Sequence, residues 1–293
     1  MTYSYGPMYI SNLVEKNFPS VGFNFALKNK EKKVVFGPDS YELLMSRCAR
    51  STVHSYRIRA EASFAAYRYS VRRHLNLQNV EKLLVFGIKD AAFINERRYS
   101  LSKSPIAKFI RHPIEGEFFQ KLPKQNFRLY DVLISGSRGR YGEFYCGDWP
   151  ARFIKQIQSN AELRKLKYIV VGRDYEQFYD KIADLVDVDY FDHVDSYRQL
   201  LESVKVYIAF DVVGVGTKNR ILQCLARGTK VVGTYISFEN IEAPRELKFQ
   251  YDDINVLPDT VLSALDKETN YDIDMLHQFH SEEFFLECLR NEL

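Results

Sequence analysis

The segment GVGTKNRILQCLARGTKVVGT, Gly214 to Thr234, holds the residues best suited to chemistry. Two glycines precede Thr217, Lys218, Asn219 and Arg220, an apolar run follows, and Gly228 leads into a β-branched run. Glycines at 214 and 216 let backbone approach a ligand closely. A helix starting near Thr217 presents free N–H groups and the positive end of its dipole, which suits phosphate. Lys218 contributes a mobile cation and Arg220 a planar one. Together they make a diphosphate cradle. The alternative is that both glycines serve a turn and Lys218 is solvated. The spacing is neither Gly-x-Gly-x-x-Gly nor the Walker A pattern, which argues against a dinucleotide or ATP.

A cradle of this kind needs a sheet edge behind it, and the chain from residue 127 provides one. FRLYDVLISG, KYIVVG, VDYF, KVYIAF and TKVVGTY read as strands. Between them DWPARFIKQIQSNAELRKL, DYEQFYDKIADLV, DSYRQLLESV and TKNRILQCLARG read as helices. Asp148 is the expected N-cap of the first, with Pro150 in its first turn, and Gly228 closes the last. Strands alternating with helices at this spacing imply a doubly wound parallel sheet. KVYIAF ends near Phe210, so Asp211 to Asn219 falls at the carboxyl edge, where such sheets bind ligands.

The first half is less regular. KKVVFGPDS reads as a strand and a helix start, VEKLLVFGIKDAAFINER as strand, turn and helix, and KFIRHPIEGEFF as a strand running into a turn. Residues 40–75 lack Pro and Gly and are helical in composition throughout. They carry Arg47, Arg50, Arg57, Arg59, Arg68, Arg72 and Arg73 among tyrosines and phenylalanines. Three readings of 47–74 stay open: a solvated helix face, a basic surface for an anionic membrane, and a nucleic-acid surface, which no accompanying motif supports. KLPKQNFR, 121–128, is the expected linker.

The glycine–lysine segment resembles the donor-binding segment of glycosyltransferase family 4, which has the GT-B fold. The pattern there is Gly-x-Gly-x-Lys-x-Lys/Arg-x-Leu-Glu-Ala-x-Ala-x-Gly-x-Pro-Val-Val-x-Thr. The match covers both glycines, Lys218, Arg220, Leu222, Ala226, Gly228, Val231, Val232 and Thr234. FIRHPIEGEFF is similar to the family's interdomain segment and ISGSRGRY to the first strand and loop of its donor domain. The resemblance spans roughly 105–245. It implies a GT-B-like α/β fold of two Rossmann-like domains with parallel sheets: a reduced N-terminal acceptor-side domain over 1–125, a nucleotide-sugar-binding domain over 126–275, and a C-terminal helix over 276–293 packing back across them.

The resemblance also implies roles. Arg138, Gly214, Gly216 and Lys218 would meet the donor diphosphate, Gln223 the ribose, and the backbone at His193 and Val194 the base. Residues 211–216 would face the donor sugar. The family has Glu where this chain has Gln223, so the ribose partner is neutral, and its acidic residue before the glycines is replaced by Val212 and Val213. No Gly-rich opening precedes KKVVFGPDS, so the first βαβ portion of the N-terminal domain is read as reduced. No cofactor or metal is expected beyond the donor substrate.

Other candidates are weaker. His277 and His280 are three apart without completing a metal site. His112 reads as a hinge residue, and Glu239 with Glu242 forms a weak acid–base pair. Cys48, Cys146, Cys224 and Cys288 show no ligand spacing and read as reduced thiols. Lys+Arg 41 against Asp+Glu 38, a net charge of +3, is too balanced to point to nucleic acid. The N-terminal residues show no signal peptide, and no apolar run approaches the length of a spanning helix.

The expected function is transfer of a hexose from a nucleotide-diphosphate sugar to a saccharide or lipid-linked acceptor, in polysaccharide biosynthesis; the family resemblance implies retention of configuration. The expected location is cytoplasmic, or peripheral on the membrane through 47–74. The rival is a catalytically inactive or weak homologue acting as a partner-binding subunit, and turnover of nucleotide sugars by the isolated chain separates the two. An oxidoreductase would need the Gly-x-Gly-x-x-Gly turn that is missing here.

Overall fold

A computed structural model of the chain describes residues 6–23, 34–37, 40–76, 80–98, 106–120, 128–135, 139–172, 175–268 and 272–293. The elements run α1 (Gly6–Asn17), β1 (Gly22–Phe23), β2 (Val34–Phe36), α2 (Tyr41–Arg50), α3 (Tyr56–Asn76), β3 (Lys82–Val85), α4 (Ile88–Arg98) and β4 (Ile106–Phe109). They continue with β5 (Tyr130–Ser135), α5 (Gly139–Cys146), α6 (Trp149–Ser159), α7 (Ala161–Arg164), β6 (Lys167–Val171), α8 (Glu176–Ile182), β7 (Asp187–Phe191), α9 (Tyr197–Glu202) and β8 (Val204–Ile208). Last come α10 (Asn219–Ala226), β9 (Lys230–Gly233), β10 (Lys248–Gln250), α11 (Leu257–Asp266), α12 (Asp274–His280) and α13 (Glu282–Glu292).

Two parallel sheets result. The second has the order β10-β9-β8-β5-β6-β7, so the chain moves outward from β5 to one edge and then returns to β8 and moves to the other. That reversal between β5 and β8 is the topological switch point of a doubly wound sheet. Its central strands β5, β6, β8 and β9 are mostly buried, as parallel strands with helices on either side should be, while the edge strands β7 and β10 are not. Val132 and Ile134 face Trp149, Phe153, Phe210 and Leu257. Leu133 faces the other way, with Tyr207, Ile221, Leu222 and Leu225. The first sheet, in the order β1-β2-β3-β4, packs one face on α1 and α13 through Ile10, Val14, Phe285 and Leu289, and the other on α4 through Ala91 and Ile94.

Two expected helices are each broken. Residues 40–75 form α2 and α3, separated by a turn at 51–55. The hydroxyls there compete for the backbone: Ser51 Oγ accepts from Val53 N–H at 3.3 Å and Ser55 Oγ from Ile58 N–H at 3.3 Å. Downstream, Asn160 ends α6 and caps α7, its Oδ1 accepting from Glu162 N–H at 2.9 Å and Leu163 N–H at 3.2 Å. Asp148 stands at the N-cap position of α6 without a side-chain cap bond. Gly228 closes α10 with φ 66. All four cysteines are free thiols, and three of them are buried. Most of the expected linker, 121–127, lies outside the described residues; Arg128 is buried and donates to the carbonyls of Val204 and Arg227 at 2.5 and 2.9 Å.

His280 ties the segment after β4 to the loop after β9. His112 and His280 are both buried, and His280 Nδ1 donates to the His112 carbonyl at 2.8 Å. His280 Nε2 in turn accepts from Glu242 N–H at 3.3 Å, which fixes its tautomer as neutral with the proton on Nδ1. Burial holds both rings down at about 4. His112 is buried in the segment after β4, and the pair His277 and His280 does not share a site, since His277 is exposed against Phe119.

Candidate functional site

The switch point lies at the carboxyl ends of β5 and β8, where doubly wound sheets bind ligands in a crevice. Arg138 belongs to the first loop and lies outside the described residues. Arg220, in the first turn of α10, reaches back to the end of β5, where its Nη1 donates to Ser135 Oγ at 3.2 Å. Its guanidinium also lies 5.9 Å from the Tyr197 ring centre. Arg220 is thus a fixed charge built into the crevice wall.

The glycine loop after β8 has two positions that favour glycine. Gly216 has φ 61, a left-handed conformation that costs a side chain strain. A Cβ on Gly214 would stand 2.6 Å from Lys218 Nζ and 2.8 Å from Ile236 Cγ2, so the bare Cα makes room for the lysine. Lys218 is the N-cap residue of α10. Its ammonium donates to the Val215 carbonyl at 2.7 Å and lies 5.9 Å from the Tyr145 ring centre. The lysine is therefore held by its own loop at the start of the helix, half-buried and next to the crevice.

The loop's backbone is not bare. Gly216 N–H donates to Asp90 Oδ2 at 3.1 Å, and Asp90 Oδ1 accepts from Ser40 N–H at 2.8 Å. One buried carboxylate on α4 thus joins the glycine loop to the cap of α2. Burial raises the Asp90 carboxyl above its ordinary range, while the Gly216 and Ser40 N–H bonds oppose that rise. The Gly214 carbonyl accepts from Arg47, and the Gly216 carbonyl from Asn240 Nδ2 at 3.0 Å. Thr217 Oγ1 donates to the Phe86 carbonyl at 2.7 Å. The Gly216 N–H, which the family resemblance would give to phosphate, is here the point where the two sheets clasp each other.

Facing the loop is α2. Arg47 forms a two-pronged pair with Glu239, at 3.0 and 3.2 Å, and Lys89 meets the same carboxylate at 2.9 Å. Burial works to raise the Glu239 carboxyl, but Arg47 and Lys89 hold it below its usual range, so it is a structural anion rather than an acid–base partner of Glu242. Glu242 instead meets Arg111 at 3.3 Å. Beside this triad a cavity of 510 Å³ lies between the end of α2 and the loops after β8 and β9, with Ser46, Arg50 and Thr52 on one wall and Val213, Thr234 and Tyr235 on the other. Asp211, at the carboxyl end of β8, is raised by burial, with Lys218 and Arg220 pulling it back down.

The remaining expected residues are spread along the same edge. Gln223, one turn into α10, donates from Nε2 to Glu115 Oε2 at 3.2 Å, which ties it to the interdomain segment. Burial raises the Glu115 carboxyl, and the Gln223 amide opposes that. His193 is exposed and Val194 half-buried in the turn after β7, at the far end of the crevice from the cavity. Gly214, Gly216 and Lys218 therefore meet in one loop and Gln223 lies one turn into the helix that follows, while His193 and Val194 follow β7, the far edge strand of the sheet. Sequence reading missed Asp90, Arg47 and Asn240. Asp90 had one local signal, its place in the first turn of α4, where an acidic residue favours the helix dipole.

No protein-family model matches the sequence, and no curated protein matches it. Among solved structures, the N-terminal domain of Candida albicans trehalose-6-phosphate phosphatase is similar over 98% of this chain and 73% of its own, with 9% identity and a TM-score of 0.61. Anabaena HepE, in complex with UDP and glucose, is similar over 98% of this chain and 81% of its own, at 10% identity and a TM-score of 0.54. A Staphylococcus aureus TarM mutant, in complex with fondaparinux, α-GlcNAc-glycerol and UDP, is similar over 76% of this chain at 13% identity and a TM-score of 0.57. This chain spans about half the length of that TarM chain, 46%. The fold is GT-B-like: two Rossmann-like parallel sheets, as in these solved structures.

Proposed function

We propose that this chain is a glycosyltransferase that moves a hexose from a nucleotide-diphosphate sugar to a saccharide or lipid-linked acceptor, with retention of configuration, in polysaccharide biosynthesis. The observation that carries the reading is Lys218 at the N-cap of α10, seated by Gly214 beside the switch-point crevice. A cation at a helix N-terminus, with Arg220 behind it, meets the charge that develops on a departing diphosphate. In this reading Arg138 adds a second donor from the loop after β5, Gln223 holds ribose, and the backbone at His193 and Val194 reads the base. Residues 1–125 form the acceptor side and 126–275 the donor side, and 276–293 return across them. The cavity beneath Arg50 and Thr234 takes the acceptor or the transferred sugar. The solved complexes of TarM and HepE with UDP support the choice of donor class.

The test is a thermal-shift series with UDP, GDP, ADP and TDP, followed by turnover of the matching nucleotide hexose. A diphosphate at about 100 times its dissociation constant stabilises by roughly 2.7 kcal/mol. A clear upward shift with one base, and release of that diphosphate in the presence of acceptor, is expected. No shift with any of the four would contradict the reading.

A further inference from the structure

Helix α3 places its small side chains inward and its large apolar ones outward. The inner face is Ala62, Ala65, Ala66 and Tyr69, packed on α2 with Tyr69 stacked on Tyr41 at 5.4 Å. The outer face holds Tyr56, Phe64, Tyr67 and Val71, exposed by 81, 64, 68 and 41%. Tyr56, Phe64 and Tyr67 are three of the four most exposed large apolar residues described. At about 100° per residue, the four side chains fall within about 80° of arc, opposite the alanines. A helix that only needed a solvated face would not spend three aromatic residues on it.

Charge surrounds the stripe. Arg57 and Arg68 lie on one flank, with the Arg68 guanidinium 6.0 Å from the Phe64 ring centre, and Arg59 lies on the other. Within 56–73 the sequence has arginines at 57, 59, 68, 72 and 73 against one acidic residue, Glu61, which pairs with Arg57 at 3.2 Å. A second copy laid on this face would bring arginine against arginine. A surface of anionic lipid headgroups meets both features: tyrosine and phenylalanine seat at the headgroup level and the arginines take the charge. No helix among the described residues is long and apolar enough to cross a membrane, so the contact is one of lying on the surface.

We propose that the outer face of α3, centred on Phe64 and Tyr67 and flanked by Arg57 and Arg68, docks the protein on an anionic lipid surface. Of the basic stretch 47–74, only this face takes part: Arg47 points into the interdomain cleft and holds Glu239. The inference stands whether or not the crevice takes a nucleotide sugar.

The test is co-sedimentation of the full chain with vesicles of phosphatidylcholine alone and with about one third phosphatidylglycerol. Binding to the anionic vesicles that fades as salt rises is expected. Phe64→Ser with Tyr67→Ser should lower the partition at least ten-fold, with the melting temperature unchanged because both positions are exposed. Arg57→Gln with Arg68→Gln should lower it about 25-fold, near five-fold per arginine. Equal binding to neutral vesicles, no binding to anionic ones, or variants that bind like the parent would overturn the proposal. A concentration-dependent dimer that the Phe64 and Tyr67 variant loses would also overturn it, and would assign the face to a second copy.

Discussion

The Asp90 carboxylate accepts the Gly216 N–H at 3.1 Å and the Ser40 N–H at 2.8 Å, and so joins the glycine loop of one sheet to the helix cap of the other. Asp90 is fully buried, so neither N–H has water to replace it. Asp90→Ala should therefore leave two buried donors unpaired, at about 1–3 kcal/mol each. The expected loss of melting temperature is roughly 5–15 °C. Affinity for nucleoside diphosphate should not fall with it, because Asp90 places a negative charge beside the loop that would hold phosphate. A variant as stable as the parent would show that the clasp is not what holds the loop.

Gln223 makes the next case. On sequence alone, Glu at this position would hold ribose better than an amide. The structure sets Glu115 Oε2 3.2 Å from the Gln223 amide, so Gln223→Glu would bring two carboxylates together and remove a hydrogen bond. The Glu115 carboxyl is already raised by burial, and a second carboxylate would raise it further. A raised carboxyl costs stability where it must ionise, so the deficit should be largest above neutral pH and shrink as pH falls and the pair takes up a proton. Melting curves of both variants at pH 5 and pH 8 check this. A deficit that is constant with pH would mean that the two side chains do not face each other.

The buried histidines give the chain an acid limit. His112 and His280 titrate at about 4 in the folded protein, below the ordinary 6.5, because burial disfavours their charged forms. The unfolded chain takes up protons first as pH falls. Stability is then fully present above about pH 6.5 and lost progressively down to about pH 4, by up to about 1.4 kcal/mol per pH unit for each ring. Denaturant titrations at pH 7, 5.5 and 4.5 should show that decline, and His280→Gln should reduce its slope. An unchanged slope in that variant would remove His280 from the explanation.

Much of the second sheet was legible in the sequence. Runs such as KYIVVG and KVYIAF are apolar and β-branched as buried strands require, and Gly228 closes α10 as expected, whereas Asp148 takes the N-cap position of α6 without a cap bond. The breaks at 51–55 and Asn160 were missed because hydroxyl and amide side chains can end a helix without Pro or Gly. The clasp was out of reach for another reason: Asp90 and Gly216 are 126 residues apart, and no local pattern reports a hydrogen bond between them. The inward alanines of α3 were visible as letters, but which face was inward depends on where α2 packs.

The central claim is that Lys218 meets a donor diphosphate, and calorimetric titration of Lys218→Ala against the parent chain tests it most directly. The nucleoside diphosphate giving the largest thermal shift is the titrant. A charge-assisted contact of about 1.5–3 kcal/mol is lost, so the dissociation constant should rise about ten-fold or more. The melting temperature of the ligand-free variant serves as the control, because Lys218 also donates to the Val215 carbonyl at 2.7 Å. Equal affinity in a folded variant would contradict the account and leave the glycine loop as a domain clasp alone.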